Sequence, residues 1–271
     1  MHWLRRSASD TQITHGKRLW LYVLAAIVML LLVIPSFIVI PMSFSSSQYL
    51  EFPPETWSVR WYQAYFESAK WMRATITSLK VGVLTMLIAT PIGTMAAYAL
   101  YVSGHRFARA IFSFLITPMI VPVILIAIGT FYAFGKFGLN NTISGLVLAH
   151  TVIAIPLIII VITAALRNYD LDQERVARSL GASRTKAFFV ITLPQIKFSV
   201  ATAALLSFLT SFDEVIVSIF VSGGKNATLT KHMFGALRDY IDPTIAAIST
   251  IMILISSILL LITQFIGDKR K

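Results

Sequence analysis

The sequence predicts an all-α, polytopic membrane protein with six transmembrane helices. Hydrophobic residues make up 56% of the 271-residue chain and charged ones 13%, about half of what a soluble domain needs to cover its surface. The apolar residues gather into six stretches, each near the roughly 20 residues that cross a hydrocarbon core about 30 Å thick. Most charged residues lie between them. These figures exclude a soluble enzyme and a disordered chain. Cysteine is absent, which removes disulfides, Cys-ligated zinc, iron–sulfur clusters and thiol nucleophiles.

Taken in order, residues 1–18 read as an N-terminal arm and Leu19–Phe44 as the first span. That stretch is too long for a signal-peptide core and lacks a small-residue cleavage site, so it is expected to be retained. Residues 45–73 carry Pro53-Pro54 and the aromatics Trp57, Trp61, Tyr62, Tyr65, Phe66 and Trp71. Trp and Tyr favour the headgroup level, which predicts one or two short interfacial helices, an ordinary connecting loop being the alternative. The core, residues 74–266, holds spans at Ala74–Tyr101, Ala110–Phe134, Thr142–Leu166, Phe198–Val221 and Thr244–Ile266, before a short tail at 267–271. Pro35, Pro41, Pro91, Pro118, Pro122 and Pro156 fall inside spans, where proline kinks a helix by removing one of its hydrogen bonds.

Charge placement assigns the sides. With the termini and the loops at 102–109 and 165–197 in one compartment, that side holds 15 basic residues and the other 7, with Lys80 inside the second span. Basic residues accumulate on the cytoplasmic side, so both termini are expected there. The net charge of +11 is then a topology signal. Nucleic acid is not an expected partner, because the basic residues flank spans and form no patch interleaved with aromatics.

Loop 165–197 is too long for a simple connector. Asp170-Leu171-Asp172 offers capping carboxylates, Glu174 to Ser179 suits a short helix, and Gly181 breaks it. Ala182-Ser183 can begin a second helix, and Pro194 opens the next span. A helix–Gly–helix knob of this kind can meet a cytoplasmic partner. Equally, an amphipathic helix can lie on the headgroups with its arginines on anionic lipid.

The run Glu174-Arg175-Val176-Ala177-Arg178-Ser179-Leu180-Gly181-Ala182, followed by Ile191-Thr192-Leu193-Pro194, resembles the EAA signature of binding-protein-dependent, type I ABC importer permeases. The spacing from Gly181 to Ile191 and Pro194 matches that family. The triplet departs from it, with Arg175-Val176-Ala177 where Glu-Ala-Ala is expected and the acid one place earlier, at Glu174. Two further runs, Ser211 to Val217 and Ala236-Leu237-Arg238 through Asp242-Pro243-Thr244-Ile245-Ala246-Ala247, look like the second permease of spermidine/putrescine-type importers. Importers of iron, thiamine and amino-acid-like amines share much of that pattern.

The resemblance implies a type I permease fold in a bacterial inner membrane. It implies a coupling helix, formed around Glu174, Arg175, Val176, Ala177, Leu180, Gly181 and Ala182 with Ile191, Leu193 and Pro194 behind it, seated on a cytoplasmic ATPase. The implied partners are a second, similar permease, favoured as a heterodimer, two ABC ATPase subunits and a periplasmic solute-binding protein. The implied solute is a small cationic amine of the polyamine class. ATP and magnesium would be held by the ATPase subunits and no cofactor by this chain.

Asp213 and Glu214 fall about fifteen residues into the fifth span, where an ionised acid costs roughly 2.5–3.5 kcal/mol on insertion scales. Such residues face a cavity or a partner. Either one acid lines a cation route, or the pair is structural, for instance with Lys80. His150, alone in the fourth span, reads as a hydrogen-bonded packing residue, with proton relay as the alternative. The sequons at Asn140-Asn141-Thr142 and Asn226-Ala227-Thr228 read as chance matches. The sequence has no Gly-x-x-x-x-Gly-Lys-Ser/Thr phosphate loop, so an ATP-driven mechanism needs another subunit. An intramembrane hydrolase, a channel and a gradient-driven carrier are the rival classes. Hydrolase motifs, a potassium-filter sequence and clear internal repeats are all missing from the sequence.

Overall fold

The computed structural model describes residues 14–104 and 106–268, with 260 and 262–268 as backbone only. Of the expected N-terminal arm, residues 1–13 lie outside the described residues, as do 269–271 of the expected tail. The fold is helical throughout. Among the described residues no β-strand forms, and Ser45 and Trp57 make an isolated bridge. Two compact units are distinguished, one running to Tyr65 with Ile241–Ile253, the other covering Phe66–Tyr240 with the remainder.

In the first unit a 3-10 turn at His15–Arg18 leads into α1 (Leu19–Met42), which contains Pro35 and Pro41 and buries none of its residues. Trp20, Leu31, Leu32 and Phe37 are each exposed by more than 60%. A helix this apolar all round needs lipid or protein against it. The following segment folds on itself. Ser43 Oγ is 2.7 Å from Tyr62 Oη, Arg60 Nη1 donates to Ser46 O at 2.8 Å, and Trp61 Nε1 donates to Ser47 O at 3.0 Å. It carries one short helix, α2 (Arg60–Glu67).

In the second unit α3 (Ala69–Ser103) begins five residues before the predicted Ala74. Ser68 caps it by accepting from Trp71 N, and Gly104 ends it with a left-handed φ of 57°. The predicted third span is bent. α4 (Ala108–Ile116), a 3-10 turn at Thr117–Met119 and α5 (Val123–Lys136) turn through 93° around Pro118 and Pro122. Proline supplies no N–H to the ladder, and with Pro118 and Pro122 only four residues apart the α-helical ladder is interrupted between them. α6 (Ile143–Arg167), capped by Thr142, is continuous despite Pro156.

The loop then forms α7 (Asp172–Ser179), α8 (Arg184–Ala187), a π-helical turn at Phe188–Thr192 and α9 (Leu193–Gln195). After a 79° bend come α10 (Lys197–Phe212) and α11 (Ile216–Val221). A 3-10 turn at Gly224–Asn226, α12 (Leu229–Asp239) and α13 (Thr244–Asp268) complete the described residues. Three helices, His15–Met42, Ala69–Ser103 and Ile143–Arg167, are long and apolar enough to cross a membrane unbroken; the two bent pairs qualify as broken spans.

The core of the second unit is the packing of α3, α6 and α10. Lipid is as apolar as leucine, so helices here associate through close van der Waals contact. Small residues permit it. At Gly93 an added Cβ would fall 2.7 Å from Ile158 Cγ2, and at Gly82 one would fall 2.9 Å from Phe208 Cε2. Ala89, Ala97, Ala154 and Ala203 are fully buried beside Ile158, Ile159 and Ile162. This packing fixes the loop at one end of the bundle and the α10–α11 break toward the other.

Candidate functional site: the loop and the helix break

α7 ends as a Schellman motif. Gly181 N donates to Arg178 O at 3.0 Å and Ala182 N to Ala177 O at 3.1 Å, with Gly181 at φ 92°. That geometry requires a left-handed residue, which glycine adopts without steric penalty. Nothing lies within 4 Å of where a Cβ at Gly181 would stand. Its surroundings within the chain are therefore open. Ser183 then caps α8 by accepting from Lys186 N at 3.2 Å.

The residues singled out in this loop fall into two sets. Glu174 points inward and is 4% exposed. Its Oε1 accepts from Tyr98 Oη of α3 at 2.6 Å, and its Oε2 accepts from Thr192 Oγ1 at 2.9 Å. Tyr169 Oη is 3.3 Å from Thr192 Oγ1, and Arg184 Nη2 donates to Val102 O at 3.1 Å. Ile191 and Leu193 are half-buried, Leu193 against the core. The second set faces outward. Arg175 pairs with Asp172 at 2.6 Å in the open, Val176 and Leu180 are 59% and 83% exposed, and Gly181 and Pro194 are exposed beside them. Ala177 and Ala182 are half-buried between the sets. One residue turns a helix by about 100°, which is why an acid at 174 is a core residue and the arginine at 175 a surface one.

The second locus differs from its sequence expectation. Asp213 and Glu214 do not lie on a continuous helix; they sit in the break between α10 and α11. Glu214 Oε1 accepts from Val217 N at 3.0 Å and so caps α11, while Thr230 Oγ1 donates to Glu214 O at 3.0 Å. Asp213 is exposed, and its carboxylate has no partner among the described residues. Neither acid pairs with Lys80, which lines a separate cleft with Arg73 and Lys225.

His150 of α6 spans this break. Its Nδ1 is 2.8 Å from Ser211 Oγ on α10, and its Nε2 is 3.3 Å from Ser218 Oγ on α11. Ser211 also donates to Thr85 Oγ1 of α3 at 3.4 Å. At the C-terminal end of α11, Lys231 Nζ donates to Ile219 O at 2.9 Å and also to Ser222 O. A cation on the last carbonyls of a helix offsets its dipole. The asparagines of the sequons have structural roles: Asn140 Nδ2 donates to Phe131 O at 3.0 Å and Asn226 Nδ2 to Asn141 O at 2.7 Å.

Sequence reasoning missed Tyr98, Thr192, Ser211, Ser218, Thr85 and Lys231. Ser211 and Ser218 are seven residues apart, two helical turns, and that spacing opposite a lone intramembrane histidine was a usable signal. No local pattern pointed from Glu174 to Tyr98.

The family model described as binding-protein-dependent transport system inner membrane component matches residues 89–270, covering the loop, the break and most of the packed core. The chain belongs to that family. It is thus an inner-membrane transport component, a permease. Similar curated proteins include the spermidine/putrescine transport system permease protein PotC of Haemophilus influenzae, 31% identical over 88% of this chain and 92% of that one. PotC of Escherichia coli K12 is 29% identical over 89% and 91%, and the putrescine transport system permease protein PotI of the same strain is 31% identical over 73% of each. Among solved structures, a bacterial ABC transporter involved in import of the acidic polysaccharide alginate aligns over 95% of this permease and 98% of its own chain, with a TM-score of 0.68 at 17% identity. The MetNI methionine ABC transporter, in inward-facing conformations, aligns over 73% and 93%, with a TM-score of 0.56 at 20% identity. The permease therefore has the ABC importer permease fold.

Proposed function

We propose that this permease is one subunit of an ATP-driven importer that carries a small cationic amine of the polyamine class across the bacterial inner membrane. The likeness to PotC and PotI supports the solute class. The free carboxylate of Asp213 at a break in a membrane helix agrees with it, since broken helices place binding groups at membrane depth. Asp213 attracts the cation, and Glu214, whose carboxylate caps α11, holds the shape of the break.

Six spans with both termini in the cytoplasm place loop 165–197 on the ATPase side. Val176, Leu180, Gly181 and the Arg175–Asp172 pair form the surface that docks into the ATPase, and ATP and magnesium are held there. The bundle alternates between inward-open and outward-open states as the ATPase dimer closes and opens. The assembly contains a second, non-identical permease, two ATPase subunits and a periplasmic solute-binding protein. Residues 45–73 lie at the outer interface, and 74–266 form the transport core.

The single observation that carries this reading is the outward-facing Val176–Leu180–Gly181 knob within a member of this family. Affinity purification of the tagged chain in mild detergent tests it. An ABC ATPase and a second permease should comigrate with it. Transport activity from the chain purified alone would point to a channel or gradient-driven carrier and overturn the proposal.

A further inference from the structure

A cleft of about 460 Å³ opens beside the first turns of α3. It is lined by Arg73, Ile76 and Lys80 of α3, by Ile143, and by Lys225 and Asn226 of the 3-10 turn. One wall is held in place by specific contacts. Asn226 Nδ2 donates to Asn141 O, Asn141 N donates to Val221 O at 2.8 Å, and a Cβ at Gly223 would fall 2.3 Å from Asn141 Oδ1. These contacts pin Lys225 over α3. Arg73, Ile76 and Lys80 follow one another at spacings of three and four residues, so they share a helix face.

Three cations line the cleft and no carboxylate does. Among the described residues none of the three has an ion-pair partner. Like charges converging on a concave site repel one another and focus their field on whatever fills it. A polyamine would be expelled from such a site. An anion is what it fits.

We propose that this cleft binds the phosphate headgroup of an anionic phospholipid in the outer leaflet of the membrane. The inference rests on the topology given above, with the start of α3 at the outer face. Depth favours lipid over the carboxylates of a soluble partner. Lys80 lies six residues inside the predicted span beginning at Ala74, about 9 Å along the helix, within reach of a headgroup by an extended lysine stem. Below it Val83, Leu84 and Leu87 are exposed on the same side of α3 and offer an apolar track for an acyl chain. Arg73 supplies the fork that grips a phosphate by two hydrogen bonds, and the lysines supply point charges.

The test uses the complete importer in nanodiscs of phosphatidylcholine, alone or mixed with phosphatidylglycerol, with retained lipid counted by native mass spectrometry. Wild type should retain phosphatidylglycerol in preference to phosphatidylcholine. Lys225→Gln and Arg73→Gln should each weaken that preference about fivefold, as expected for one cation at a membrane surface. Capture of the loaded solute-binding protein should be unchanged in both variants. Equal retention by wild type and Lys225→Gln would overturn the proposal. So would weaker capture of the binding protein with lipid retention intact, which would assign the cleft to a soluble partner. Lipid counting requires neither ATP nor solute, so a negative result leaves the polyamine reading standing. Loss of the ATPase from the preparation would strike that reading alone.

Discussion

Tyr98 and Glu174 are 76 residues apart in the chain, and the tyrosine hydroxyl donates to the buried carboxylate at 2.6 Å. Together with the bond from Thr192, this fastens α7 both to a membrane-spanning helix and to the turn that opens the next one. A displacement applied to the exposed side of α7 is therefore delivered to α3 and to the π-helical turn.

Tyr98→Phe removes one charge-assisted hydrogen bond and should destabilise the loop's attachment by about 1.5–3 kcal/mol. ATP hydrolysis by the assembled complex should persist while solute uptake falls, so more ATP is used per solute moved. Glu174→Gln keeps the shape and can still bond both hydroxyls, and it should retain more uptake than Glu174→Ala. Parallel assays of hydrolysis and uptake decide this. Equal losses of both activities in Tyr98→Phe would indicate simple misfolding.

Gly181 separates backbone from docking. Gly181→Ala places a Cβ in open space and should cost only the left-handed strain, roughly 1–2 kcal/mol, with uptake largely kept. Gly181→Asp adds a charge to the proposed docking surface and should abolish uptake with the protein still in the membrane. Membrane-fraction immunoblots alongside uptake check both variants. Normal uptake by Gly181→Asp would remove the loop from the coupling route.

The two acids should separate by kinetics. Asp213→Asn removes a carboxylate that no described residue engages, so uptake of a cationic amine should fall at least tenfold without loss of protein. Glu214→Gln weakens a cap on α11, worth about 1 kcal/mol by analogy with other helix caps, and should lower thermal stability as well. Uptake measured with each variant tests the assignment. Unchanged cation uptake in both would exclude the break from the path.

His150→Leu should disconnect the two sides of the break by removing the partner of both Ser211 and Ser218. Ser218 Oγ is then left buried without its partner, at a cost of about 1–3 kcal/mol, while Ser211 keeps its bond to Thr85 Oγ1. The melting temperature should fall and the KM for solute should rise. His150→Asn, which can reach Ser211 alone, should be intermediate. Identical KM values in wild type and His150→Leu would reduce the histidine to a packing residue.

Much of this was legible before the fold was known, and the remainder has physical reasons. Long apolar runs marked α1, α3 and α6 because membrane helices are read from length and hydropathy alone. Gly181 marked the end of α7 because a left-handed position favours glycine. The break at Asp213 was not legible, since the run from Phe198 to Val221 is apolar enough for an unbroken helix; the interruption is held by contacts from His150 and Thr230. Likewise the side toward which Glu174 points depends on the rotation of α7, and Tyr98 sets that from far away in the chain. Local pattern locates elements, and long-range hydrogen bonds aim them.

The most direct measurement is uptake of labelled spermidine into proteoliposomes that contain the permease, its comigrating permease and ATPase subunits, and the solute-binding protein outside. ATP is enclosed on the ATPase side. ATP-driven import predicts accumulation that requires both the enclosed ATP and the binding protein, and that disappears in Gly181→Asp. Accumulation driven by an ion gradient with the ATPase subunits left out would contradict it.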